Sequence, residues 1–141
     1  MNKTLVAVLG AGALFLAGCG SDDKADDNHA EACTSFASAQ RELVGYGVDG
    51  KKTLTLEQFT AAKTAAVGSM DSAGLSTSNS DIKSRINALV KGIPTDTTQL
   101  QISKTQADSF NTNSAAVSRA CEAAGTTVVV SKIPIVQFMG P

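Results

Sequence analysis

The sequence predicts an all-α domain: a disulfide-stapled antiparallel four-helix bundle with an extended C-terminal tail. Two observations lead to this fold class. Between residues 28 and 125, four stretches carry apolar or small side chains at three-to-four spacing, each with a capping residue before it and a glycine at its end. Cys33 lies on the apolar side of the first stretch and Cys121 on that of the last. In a bundle whose helices alternate in direction those positions share one end, so the topology and a Cys33–Cys121 bridge support each other.

The first predicted helix begins at Asn28. Asn28 with Glu31 fits a capping box, in which each side chain bonds the other residue's backbone N–H. We expect this helix to end near Gly45 and Gly47, before a turn-rich connector around Asp49-Gly50. Its apolar or small positions are Ala30, Cys33, Phe36, Ala37, Leu43 and Val44.

The second predicted helix follows a clearer start signal. Thr55 with Gln58 forms another capping box, and Gly74 is a natural C-terminal residue. The apolar positions between them are Leu56, Phe59, Ala62, Ala66, Val67 and Met70.

The third predicted helix is the shortest and the most amphipathic. Asn79 or Ser80 can cap it, and Gly92 and Pro94 close it. Its apolar side consists of Ile82, Ile86, Leu89, Val90 and Ile93.

The fourth predicted helix follows a threonine-rich connector. Ser103 with Gln106 makes a third capping box, and the helix is expected to end at Gly125. Its inward positions advance alternately by three and four residues, which is the period of an amphipathic helix. They are Ala107, Phe110, Ser114, Val117, Cys121 and Ala124.

The tail, residues 126–141, has a different pattern. Val128-Val129-Val130 and Ile133-Pro134-Ile135-Val136 are β-branched runs that favour extended backbone, and Pro134 interrupts them. Two interpretations remain open: the tail packs along the helices, or it is an exposed apolar strip that contacts a partner or a bilayer.

The N-terminus predicts export and a lipid anchor. Met1 to Thr4 carry one positive charge, and Leu5 to Leu16 form an apolar run of 12 residues, too short to span a bilayer. Leu16-Ala17-Gly18-Cys19 then resembles the lipobox of bacterial lipoprotein precursors. That resemblance implies diacylglycerol on the Cys19 thiol, cleavage before Cys19, and a protein on the extracytoplasmic face of a cell membrane.

The three cysteines fit this interpretation. Once Cys19 is assigned to lipid, Cys33 and Cys121 remain as an even pair in an oxidising compartment, where disulfides persist. We therefore expect them to be bridged.

Four segments follow from these signals. Residues 1–18 form the signal peptide, and residues 19–28 form a flexible acidic tether without large apolar side chains. Residues 29–125 form the helical domain, and residues 126–141 form the extended apolar tail. The core must use small side chains, with four phenylalanines supplying most of its bulk: Phe36, Phe59, Phe110 and Phe138.

Composition and motifs argue against several classes of function. The net charge is −1, without a basic block, which disfavours nucleic-acid binding. His29 is the only histidine, and no enzyme, cofactor or metal site is predicted. The carboxylates of the tether could hold a cation with His29 only weakly, on a segment without supporting groups; they are Asp22, Asp23, Asp26 and Asp27. The loop around Asp49 departs from the EF-hand calcium motif in its ligand positions.

The expected function is therefore binding. The sequence resembles small lipoproteins of high-GC Gram-positive bacteria in size, composition and its cysteine pair. We expect a lipid-anchored interaction module that contacts the membrane through lipid on Cys19 and holds an envelope protein or glycan. The alternative is an exclusion lipoprotein, encoded by a phage or mobile element, that blocks DNA entry.

Overall fold

The computed structural model describes residues 28–135, and within them the protein is all-helical, which confirms the fold class at that level. This range contains five helices rather than the four predicted, and no strand. The predicted signal peptide, Cys19 and the predicted tether up to residue 27 lie outside the described residues, as does residue 138. The helices are α1 (His29–Asp49), α2 (Leu56–Ser76), α3 (Ser80–Gly92), α4 (Gln99–Ile102) and α5 (Lys104–Ala123).

Both ends of α1 differ from the prediction. The Asn28 side chain does not cap its own helix; its Nδ2 donates instead to the Ser76 carbonyl at the end of α2. The helix also continues through Gly45 and Gly47 to Asp49, because a glycine inside a helix costs only about 1 kcal/mol. It stops at Gly50, whose φ of 69° is a left-handed conformation that favours glycine.

In α2 the capping box is confirmed, whereas the predicted stop is wrong. Thr55 and Gln58 bond each other's backbone N–H, as predicted. Gly74, however, lies inside the helix and is buried against α3. A Cβ atom there would lie 2.8 Å from Cγ2 of Ile86, so this glycine permits close packing of two helices. Leu56, expected on the apolar side, is 72% exposed.

Local signals placed the remaining long helices well. Asn79 caps α3 through its side chain, and Ser103 caps α5 by accepting from the Gln106 N–H. Gly125 ends α5 with a φ of 94°. The Gly125 N–H bonds the Glu122 carbonyl and the Thr126 N–H bonds the Cys121 carbonyl, which together form a Schellman motif.

The threonine-rich connector contains the helix that the sequence pattern missed. The Asp96 side chain accepts from the Thr98 N–H and starts a turn that leads into α4. Leu100 is 2% exposed and anchors this short helix against the core. A helix of four residues, with Leu100 buried and Ile102 exposed, is too short to show a helical period in the sequence.

The core lies where the four long helices meet. α2 packs on α1 and α3, and α5 packs on α3 and, less extensively, on α1. The largest fully buried apolar side chains are Phe36, Met70, Ile82, Ile86 and Leu89. Phe110 is also buried, whereas Phe59 is partly exposed.

Candidate functional site

The described part of the tail, residues 126–135, lies against the helices in a conformation that is neither helix nor strand. It leaves α5 at Gly125 and runs back along that helix. The Ser118 hydroxyl donates to the Val128 carbonyl, and further along Asn111 bonds the backbone of Ile133. Ile133 is 4% exposed, and Val128 and Val130 pack on the core, so these ten residues follow the packed alternative.

Gln40 of α1 holds the middle of the tail. Its side chain is fully buried, its Nε2 donates to the Ser131 carbonyl at 2.6 Å, and its Oε1 accepts from the Ser131 N–H at 2.9 Å. The same Nε2 lies 3.3 Å from the hydroxyl of Ser114 on α5. One buried amide therefore links α1, α5 and the tail, and it satisfies both backbone groups of Ser131.

Asn111 of α5 repeats this arrangement two residues further along the tail. Its Oδ1 accepts from the Ile133 N–H at 2.8 Å and its Nδ2 donates to the Ile133 carbonyl at 2.9 Å. Nη1 of Arg41 also donates to the Val129 carbonyl at 3.1 Å. We call Gln40, Arg41, Asn111 and Ser118 the tail clamp. Because it bonds only backbone groups, it recognises an extended chain rather than particular side chains.

Sequence reasoning missed the tail clamp, although Gln40 left a signal. Gln40 follows Cys33, Phe36 and Ala37 on the same side of α1, where an apolar residue is expected. A polar side chain on a buried face must find hydrogen-bond partners, so its presence indicates another segment nearby. The partly exposed Asn111 gives no comparable signal.

Of the predicted site residues, the structure brings two together. The Sγ atoms of Cys33 and Cys121 lie 2.01 Å apart, a disulfide distance, and both residues are fully buried. The bridge joins the first turns of α1 to the last turn of α5. Cys19 and the four tether aspartates are not among the described residues. Within residues 28–135 no group of three or more metal-ligating side chains could hold a metal ion, and His29 opens α1.

The opposite end of α1 forms a pocket of about 290 Å³ with the connector that follows. Asp49, the last residue of α1, is paired with Lys52 of the connector at 2.8 Å. The Tyr46 hydroxyl donates to the Glu42 carboxylate, and this hydrogen bond raises the pKa of Tyr46 above its ordinary value. Like that of any tyrosine with an ordinary or raised pKa, the hydroxyl is protonated at neutral pH and acts as a donor.

A second residue whose pKa departs from its ordinary value, Asp96, lies beside α4. Hydrogen bonds from Thr98, first from its side chain and then from its backbone, lower the pKa of Asp96, and the charge of Lys63 adds to this effect. Lys63 is largely buried on α2, where its Nζ lies 4.6 Å from the centre of the Phe59 ring. At this distance the ammonium group is attracted to the face of the aromatic ring.

The chain matches no family model, no curated protein and no solved structure. Over residues 28–135, none of the helices is long and apolar enough to cross a membrane.

Proposed function

We propose that this protein is a lipid-anchored envelope protein that acts as a binding module on the outer face of the membrane. The observation that carries the proposal is Leu16-Ala17-Gly18-Cys19 at the end of a 12-residue apolar run. The membrane contact is lipid on Cys19, and the bound partner is an envelope protein or glycan.

The cysteine pairing supports this assignment. Cys33 and Cys121 are buried with their sulfur atoms at disulfide distance, which leaves Cys19 as the one cysteine of three available for a lipid. A disulfide also suits an exported protein, since cytosolic thiols are kept reduced.

We further propose that the four long helices form an antiparallel bundle to which α4 is a short addition. Three contacts support this topology. Asn28, before α1, bonds Ser76 at the end of α2, and the disulfide joins the start of α1 to the end of α5. At the other end, a Cβ at Gly47 would lie 2.9 Å from the Gln101 amide nitrogen, so α4 approaches the last turns of α1.

The length of the tether limits the distance between the lipid anchor and the helical domain. Nine residues lie between Cys19 and His29, so the start of α1 can lie at most about 35 Å from Cys19. α1 has 21 residues and is therefore about 31 Å long. Its C-terminal end therefore lies about 31 Å beyond the point at which the tether joins the domain, and there it can meet ligands of the envelope.

The docked tail supplies a second candidate contact surface. Val129 is 69% exposed and Ile135 is 38% exposed, although their neighbours Val128 and Ile133 pack inward. Side chains held outward on a clamped backbone can contact a protein partner without prior folding of the tail, which reduces the entropy lost on binding.

Metabolic labelling with a fatty acid tests the anchor in the producing cell. Wild type should carry label and partition with membranes, whereas Cys19→Ser should lose both, because only the thiol accepts the diacylglyceryl group. The matched control is the Cys33→Ser, Cys121→Ser chain, which should still be labelled. Label on Cys19→Ser, or an unlabelled wild-type protein, would refute the lipoprotein assignment.

A further inference from the structure

The pocket at the end of α1 has two glycines in its lining, Gly45 and Gly50. Its walls are the last two turns of α1 and the connector 50–54. Gly45 forms part of the wall, and a Cβ atom there would contact nothing within 4 Å, so the space beside it is open. At about 290 Å³ the pocket lies at the lower end of the range for small-molecule sites.

The connector is held in an unusual conformation. Lys52 has a φ of 46°, the only positive φ of a non-glycine residue within 28–135. Such conformations cost on the order of 1–3 kcal/mol and persist only where surrounding contacts fix them. Here the contacts are the ion pair of Lys52 with Asp49 and the hydrogen bond from the Leu54 N–H to the Lys51 carbonyl at 2.8 Å.

The charges around the pocket cancel. Glu42 and Asp49 are balanced by Lys51 and Lys52, so the site offers no net attraction to an anion or a cation. It nevertheless presents ammonium donors beside carboxylate acceptors, and the Tyr46 hydroxyl completes a chain that begins at the Glu42 carboxylate.

Apolar surface accompanies these polar groups. The Tyr46 ring lines the pocket and is held by an edge-to-face contact with Phe59, at 5.8 Å between ring centres. Leu54 lines the pocket as well. A ligand that fits this set is neutral, has hydroxyls that both donate and accept, and has C–H faces that pack on a ring. These properties together describe a saccharide.

We propose that this pocket binds a neutral saccharide unit. The proposal deepens the binding function proposed above and rests on it for one point, that envelope glycans are the saccharides within reach of the anchored domain. The pocket lies at the end of α1 opposite the disulfide and the point at which the tether joins the domain.

The chain provides its own probe of this site. Tyr46 is the only tyrosine and there is no tryptophan, so the intrinsic ultraviolet fluorescence of the protein reports mainly on the pocket. The mature full-length protein in detergent micelles should be titrated with β-1,4-linked N-acetylglucosamine tetrasaccharide and with maltotetraose, and calorimetry should be run in parallel. We expect saturable binding of at least one saccharide and none of inorganic phosphate. Binding of phosphate alone, or no binding by either method, would overturn the proposal.

Two leucine variants locate the binding. Gly45→Leu places a side chain in the pocket, whereas Gly68→Leu places the same side chain on the exposed face of α2, where a Cβ again contacts nothing within 4 Å. We expect at least tenfold weaker saccharide binding for Gly45→Leu and unchanged binding for Gly68→Leu. Equal effects of the two variants would contradict the assignment.

A further variant covers the case in which Gly45→Leu does not fold. Glu42→Gln keeps the size of the side chain but removes the charge of the carboxylate that accepts the Tyr46 hydrogen bond. Calorimetry should then detect at least threefold weaker saccharide binding. Unchanged saccharide binding by Glu42→Gln would overturn the assignment of the saccharide to this pocket. Saccharide binding in micelles does not depend on the lipid anchor, so the two proposals can fail separately. A labelled protein that does not bind saccharide would refute only the pocket assignment. An unlabelled protein that binds saccharide would refute only the lipid anchor.

Discussion

The helices and the tail of this protein differ in the contacts that hold them in place. The helices bury apolar side chains against one another, and Phe36, Ile82 and Ile86 are fully buried between them. The tail also buries Ile133, but it has a second kind of contact, in which its backbone hydrogen-bonds to the side-chain amides of Gln40 and Asn111. The helical body thus depends on its side-chain pattern, whereas the position of the tail depends on two polar residues far away in the sequence.

These different contacts predict different losses of stability when each is removed. Burying one large apolar side chain contributes about 1.5–3 kcal/mol, and one hydrogen bond contributes a net 0.5–1.5 kcal/mol. A disulfide that closes a long loop can exceed both. Perturbing the staple of the body should therefore cost most, and releasing the tail should cost less.

The first prediction concerns the staple. Reducing the Cys33–Cys121 bond should lower the free energy of unfolding by roughly 4.5 kcal/mol, because the bridge spans 88 residues and restricts the unfolded chain. Urea unfolding of the chain from residue 20 onward, with and without reductant, measures the effect. The Cys33→Ser, Cys121→Ser chain is the control and should not respond to reductant. A reduced protein with an unchanged urea midpoint would show that the bridge adds nothing to the stability of the body.

The sequence was most informative where a local rule decides the structure. The capping box of Thr55 and Gln58, the cap at Asn79 and the left-handed Gly125 depend on neighbours within a few residues. Such signals act in the same way in any fold, so they could be read without knowing what lies across the helix. The cysteine pair was also predictable, because its two positions share one end of a bundle.

The prediction failed where distant contacts decide. The glycine at position 74 predicts the end of a helix. Gly74 instead lies inside α2 and packs against Ile86, which is 12 residues away. Gln40 bonds a backbone 91 residues away, and nothing near it in sequence names that partner. The pocket has a different origin, since all its lining residues lie within 42–54: the sequence predicts a turn-rich connector there but not the space that the connector encloses.

The second prediction tests the tail clamp. Asn111→Ala should destabilise the protein by about 2 kcal/mol, because it removes two hydrogen bonds and leaves both backbone groups of Ile133 without partners. Gln40→Ala should cost more, about 3 kcal/mol, since its amide is fully buried. Hydrogen exchange at the Ser131 and Ile133 amides should become faster in the respective variants.

The matched control for Asn111 is Asn113. Both asparagines lie on α5 and are partly exposed, but only Asn111 bonds the tail. Asn113→Ala should change stability by less than about 0.5 kcal/mol and leave exchange at Ile133 unaltered. If the two alanine variants exchange alike at Ile133, the side-chain amide does not hold the tail.

The third prediction returns to the helical body with the smallest change, one methyl group. Gly74→Ala should destabilise the protein by about 1–2 kcal/mol: a Cβ at 2.8 Å from Ile86 Cγ2 forces the two helices apart, and this cost exceeds the gain in helix propensity. Gly68→Ala, in the same helix but with open space around its Cβ, should stabilise by up to about 1 kcal/mol. Urea unfolding of both variants gives the difference in sign. Ile86 is fully buried and protein interiors are close-packed, so a stabilising Gly74→Ala would mean that α2 and α3 do not approach this closely.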